Sequence, residues 1–204
     1  MILNETLEKD YFNSISVEGH GVFKDKGSKF LAYSFAVTDT EEVTEKLNDL
    51  RARYHDARHF CFAYRLNPEK PEVRYNDDGE PNNSAGIQIY NQLRSANLWN
   101  TLVVVVRYFG GTKLGVPGLI NAYKEASAMA IANSKVGVEY LIRTINLRFP
   151  YQQMNEVMRL VKDSKAELIE ERMGEDAGYL IGIRKDNYHE LLRRIGQNHQ
   201  WEII

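Results

Sequence analysis

The residues best suited to binding an anion are consecutive: Arg107-Tyr108-Phe109-Gly110-Gly111-Thr112-Lys113-Leu114-Gly115-Val116-Pro117-Gly118. They follow the apolar run Leu102–Val106 and precede an alanine-rich helical pattern, so they read as a turn from a strand into a helix. Backbone N–H groups at a helix start have no partner within the helix and carry the positive end of its dipole. Glycines let the main chain approach a phosphate, and Arg107 or Lys113 adds charge. The candidate binding residues here are Arg107, Tyr108, Gly110, Gly111, Thr112, Lys113 and Gly115. Their spacing is neither that of the P-loop nor that of the dinucleotide fingerprint. The same glycines equally suit a sharp turn with tight helix-sheet packing, and both readings stand.

A second constellation, Asp77, Asp78, Gly79 and Glu80 before Pro81, gathers three carboxylates within four residues. Such a group can bind a hard cation such as Mg2+, act as acid and base, or pair with Arg107 and Lys113. Its simplest alternative is a solvated Asp78-Gly79 turn. The calcium-loop pattern fails on spacing. His55, His59 and Cys61 raise the question of zinc or a Cys-His nucleophile. On a strand His59 and Cys61 lie two rises apart, roughly 6.6 Å. They therefore read as a partly buried structural pair, and neither a metal nor a cofactor is expected. Catalytic residues are not assigned, because no Ser-His-Asp set or metal-protease helix is visible.

The elements that must position these groups follow from periodicity. Ile15–Val37 reads as a hairpin around Asp25-Lys26-Gly27-Ser28, and Asp39 or Thr40 caps a helix over about Glu41–Tyr54. His59–Arg65 reads as a strand and Ala85–Arg94 as a helix. Leu102–Val106 lacks polar alternation, as a strand covered on both faces does. Pro117 suits the first turn of the next helix, whose alanines keep it slim. Beyond Tyr140 the pattern becomes β-α-β-β-α-β: strand Ile142–Phe149, a helix opened by Pro150, strands Glu167–Arg172 and Tyr179–Ile183, a helix capped by Asp186, and strand Trp201–Ile204. That order is ferredoxin-like. Its basic residues, among them Arg159, Lys162, Arg172 and Arg194, are balanced by acids, and the aromatic signature of RNA-recognition sheets is missing.

The formal charge of -2 excludes a chain that binds nucleic acid through bulk positive charge, so any such contact must be local. The single cysteine, Cys61, allows no intramolecular disulfide. Met1-Ile2-Leu3 leads into Glu5, Glu8, Lys9 and Asp10 instead of a leader core, and no run approaches the roughly 20 apolar residues of a membrane span. A cytoplasmic, membrane-free protein is expected.

Taken with Lys26-Gly27-Ser28-Lys29-Phe30, with Ala57-Arg58-His59, Cys61 and Ala63-Tyr64, and with Ala85-Gly86, the two constellations make the chain resemble the IMPACT family. The resemblance implies an α+β fold: residues 1–139 like the second domain of ribosomal protein S5, and residues 140–204 as a ferredoxin-like domain. The pair looks like two consecutive C-terminal domains of elongation factor G, which implies RNA or ribosome contact and a role in translation. Eukaryotic relatives carry a further N-terminal RWD domain and restrain a starvation-responsive kinase; this chain is expected to lack that domain and that role. Two departures from the family pattern stand out. Asn83-Ser84-Ala85-Gly86 replaces Gly-Thr-Ala-Gly, and Pro117-Gly118 replaces Gly-Gly, removing one backbone N–H. The expectation is a non-catalytic, RNA- or ribosome-associated modulator of translation. The alternatives are an enzyme holding a small ligand or peptide between the loops, with Asp78 or Glu80 as base or metal ligand and Lys113 as electrophile, and a scaffold for a protein partner.

Overall fold

The computed structural model describes residues 9–204, so Met1-Ile2-Leu3, Glu5 and Glu8 lie outside the described residues. The chain forms two compact units. One spans residues 12–139; the other combines residues 140–204 with residues 9–11. The fold is α+β in both.

The first unit is built on a five-stranded sheet. Its strands are β2 (Gly19–Asp25), β3 (Ser28–Ala36), β4 (His59–Leu66), β5 (Glu72–Asn76) and β6 (Thr101–Tyr108), in the order β2-β3-β6-β4-β5. Every neighbouring pair is antiparallel. Strand β6 is central, as its unbroken apolar run requires, and alternation sends its residues to opposite faces. Val103 and Val105 join Phe30, Cys61 and Ala63 under α2 (Gly86–Ser95) and α3 (Gly115–Ala132). Leu102, Val104 and Val106 join Leu31, Phe60 and Phe62 under α1 (Thr40–Arg53). Helix α1 starts where its sequence says: Asp39 accepts a hydrogen bond from the Glu42 N–H at 2.9 Å. A separate two-stranded sheet pairs β1 (Tyr11–Val17) with β7 (Lys135–Tyr140).

The second unit runs β8 (Ile142–Phe149), a 3-10 turn (Tyr151–Gln153), α4 (Met154–Asp163), β9 (Glu167–Met173), β10 (Ala177–Arg184), α5 (Lys185–Ile195) and β11 (Glu202–Ile203). Its strand order β11-β8-β10-β9, antiparallel throughout, is that of a ferredoxin-like sheet. Val157, Leu160, Val161, Leu191 and Ile195 bury one sheet face with Ile145, Leu147, Tyr179 and Ile181. Asp10, 2% exposed, takes a two-pronged ion pair from Arg184, 2.8 Å at each oxygen.

Two expectations need correction, and one element was not expected. The hairpin is narrower than Ile15–Val37, because the chain breaks after Val17 and Ile15 belongs to β1. Asp186 does not cap α5: Arg184 holds the cap position without a side-chain bond, and the Lys185 N–H donates to the Leu141 carbonyl at 2.7 Å. Strand β5 has no counterpart in the sequence reading, because it pairs on one side only and its side chains are largely exposed.

Antiparallel pairing brings Phe30, Arg107 and His59 into one row across the sheet. One end of that sheet therefore collects the β2–β3 turn, the start of β4, the loop after β5 and the turn after β6. The approach is closest where Gly110 meets Gly27: a Cβ on Gly110 would lie 1.9 Å from the Gly27 carbonyl carbon and 2.1 Å from the Ser28 nitrogen. Gly110→Ala is expected to cost at least the ~1–3 kcal/mol of ordinary overpacking, because backbone on both sides must move. Gly111→Ala, whose Cβ would meet nothing within 4 Å, should cost only the ~1–2 kcal/mol of a left-handed backbone at φ +85°. Urea unfolding of both variants checks the order; equal losses would contradict it.

Candidate functional site

The acidic loop begins where β5 ends. The Glu80 N–H donates to the Asp77 carbonyl at 2.9 Å, with Asp78 at φ +40° and Gly79 at φ +83° between them. Two positive φ values in succession make this a type I′ turn, for which Asp-Gly is a favoured pair. Each carboxylate then takes a different set of partners. Asp77 accepts from the backbone N–H groups of Asn83 (2.9 Å), Ala85 (3.0 Å) and Gly86 (2.8 Å). It thus serves the start of α2, where Ala85 in the cap position has no side chain to do so. Asp78 accepts from the Phe60 N–H at 2.6 Å, and the Asn76 side chain accepts from the Asp78 N–H at 2.7 Å.

Glu80 turns inward. Its Oε1 lies 2.6 Å from Arg107 Nη1 and accepts from Tyr123 Oη at 2.8 Å. The two charged side chains are 3% and 8% exposed, so the pair is out of water. Arg107 also lies over the Phe30 ring at 5.4 Å, and its Nε has no hydrogen-bond partner. Of the open readings for the acidic loop, ion pairing with Arg107 is present, and the Asp78-Gly79 turn forms as well. Among the described residues no group of three or more His, Cys, Asp or Glu side chains is arranged to hold a metal ion.

His59 and Cys61 both point to this side of the sheet, and each serves the loop backbone. His59 Nδ1 donates to the Asp78 carbonyl at 2.8 Å, which fixes the proton on that nitrogen. Cys61 Sγ lies 3.0 Å from the Asp77 carbonyl and 3.3 Å from Tyr123 Oη. Burial pushes the Cys61 thiol well above its ordinary range, so it stays protonated and is a poor nucleophile. Burial likewise raises Tyr123, keeping its hydroxyl a donor to Glu80.

Arg107 is thus engaged inside the fold and not presented to solvent. Tyr108, one residue on, faces α1 on the other side: its hydroxyl donates to Asp56 at 2.6 Å, a bond that pushes its pKa up to about 12. Gly110, Gly111, Thr112, Lys113 and Gly115 are exposed along the turn. Gly111 and Gly115 have φ +85° and +72°, and the Gly110 N–H donates to Ser28 Oγ at 3.1 Å. Lys113 makes no ion pair among the described residues, and Phe109 beside it is 59% exposed. Tyr123 escaped the sequence reading; its signal was a lone bulky polar ring among the alanines of α3.

Asp77→Ala would leave three N–H groups at the α2 start without their acceptor, and loss of a cap costs ~0.5–2 kcal/mol. Thermal unfolding of Asp77→Ala should show a loss at or above that range, with Asp77→Asn recovering part of it. An unchanged midpoint would contradict the capping role.

A model of the Impact N-terminal domain matches residues 26–131, the stretch that carries every group just described. The IMPACT family member YvyE of Bacillus subtilis is 28% identical over 83% of this chain and 77% of its own length. An IMPACT family member of Thermus thermophilus is 31% identical over 76% of this chain and 84% of its own. A crystal structure of a hypothetical protein superposes with a TM-score of 0.74 over 96% of this chain and 97% of that one; at 21% identity it is similar in fold. No helix among the described residues is long and apolar enough to cross a membrane. The family model covers more than half of the sequence, and the chain belongs to the IMPACT family.

Proposed function

We propose that this IMPACT family protein is a non-catalytic, cytoplasmic modulator of translation that contacts RNA or the ribosome through the loop-bearing end of its five-stranded sheet. The observation that carries the reading is the sorting of charge at that end. Asp77, Asp78 and Glu80 are all committed to internal donors, whereas Lys26, Lys29, Arg58 and Lys113 are exposed around them. A chain of net charge -2 thereby offers a local positive surface. Exposed Phe109 adds a stacking ring, and the glycine-rich turn leaves backbone open to phosphate. Aromatic stacking combined with cations is how proteins hold unpaired RNA.

The enzyme reading has less support. The carboxylates it needs as base are spent on Arg107, Tyr123 and backbone N–H groups, and the Cys61 thiol is held protonated.

Binding of a single-stranded RNA should weaken with salt, and Lys26→Ala with Lys113→Ala should flatten the slope of log K against log salt by ~0.7 per lost phosphate contact. Phe109→Ala should cost ~1–3 kcal/mol of binding. Fluorescence titration across salt concentrations measures both. Absence of binding at low salt, or binding indifferent to all three replacements, would overturn the proposal.

A further inference from the structure

We propose that the cleft between α1 and the β2–β3 strands binds a purine nucleotide, with guanine preferred over adenine. The cleft is open to solvent on one side and offers about 490 Å³, inside the range of small-ligand sites. It is separate from the sheet end discussed above, and its chemistry stands independently of that reading. Half-buried Tyr33 forms the floor, and the buried Phe35 ring supports it from beside, 13° from parallel with centroids 6.2 Å apart. His20 adds a third ring 4.8 Å from Tyr33. The hydroxyls of Tyr33 and Tyr54 meet, which holds the floor ring in place before any ligand arrives.

The rim is supplied by α1, where Lys46, Asp49 and Arg53 follow one another at helical spacing. Lys46 is held by Glu18 at 2.9 Å and lies 4.9 Å from the Phe35 ring centre. Arg53 and Asp49 are exposed, and neither forms an ion pair among the described residues. The Arg53 guanidinium instead lies 5.9 Å from the Tyr33 ring centre and 5.3 Å from that of Tyr54.

A floor of rings with one unpaired cation and one unpaired carboxylate specifies its occupant by three demands. The rings favour a flat π-system, as in base stacking on aromatic side chains. Arg53 favours a phosphate, to which it can donate through two N–H groups. Asp49 is an acceptor only, so the ligand must also carry donors. Simple anions fail the third demand. Guanine meets it with N1–H and the N2 amino group side by side, whereas adenine offers one amino group. A free guanine nucleotide and an unpaired guanine in RNA present the same chemistry.

The full chain should be titrated with GMP, with AMP and with a short RNA carrying one unpaired guanine, following tyrosine fluorescence. GMP is expected to bind saturably and ~5-fold or more tighter than AMP. Arg53→Ala should weaken both nucleotides, and Asp49→Ala should abolish the preference for guanine. Both positions are exposed, so the fold should persist, and thermal unfolding confirms it. Binding of the RNA without GMP, still weakened by both replacements, assigns the guanine to RNA. No saturable binding of any of the three, or binding indifferent to both replacements, overturns the proposal. The Lys26 and Lys113 replacements should leave GMP binding unchanged, which separates this outcome from that of the sheet-end reading.

Discussion

The ion pair between Glu80 and Arg107 is the constraint on which the end of the sheet depends. A buried charge without a partner is among the most costly features a fold can contain. Arg107 is set in place by the pairing of β6 with β3 and β4, so its guanidinium must be met by an acid from elsewhere. Glu80 is that acid, and Tyr123 completes its hydrogen bonding from α3. The position of Glu80 requires the Asp78-Gly79 turn, and the turn in its course aims Asp78 at β4 and Asp77 at the start of α2. One buried contact therefore orders a loop, a strand start and a helix N-terminus.

The same contact determines what the surface presents. With the acids drawn inward to N–H groups and Arg107, the solvent side is left to Lys26, Arg58, Lys113, the open glycine backbone and Phe109. An acidic segment in the sequence is thus turned inward in the fold, with exposed cations left beside it. Gly27 and Gly110 reinforce this arrangement, since their backbones touch with no space for a Cβ at Gly110. The family-marking residues serve mainly to build a rigid frame, and the groups left free on that frame are candidates for recognition.

Much of the architecture was legible because hydrophobic pattern dictates it. The unbroken run Leu102–Val106 pointed to a central strand, and β6 is one; the alternation beyond Tyr140 gave the ferredoxin-like order. Strand β5 was illegible because an edge strand with exposed side chains carries little periodic signal. The site was legible as a set of loops and illegible as a set of contacts. Tyr108 was grouped with Arg107, yet neighbours on a strand face opposite ways. Arg107 suited both a phosphate contact and a partner for the acidic loop, because a pair spanning 27 positions leaves no local mark that would choose between them. Asp77 serves a helix that begins nine residues later, beyond any capping motif read from adjacent positions.

The claim that this ion pair organises the sheet end is tested most directly by a double-mutant cycle in urea with Glu80→Gln and Arg107→Met. Each single replacement strands a buried group, and the account predicts a loss of ~3–5 kcal/mol for each. The double replacement should lose less than the sum by ~1–3 kcal/mol, the coupling of residues in one network. Losses that add to within ~0.5 kcal/mol would contradict the account, because independent sites behave that way.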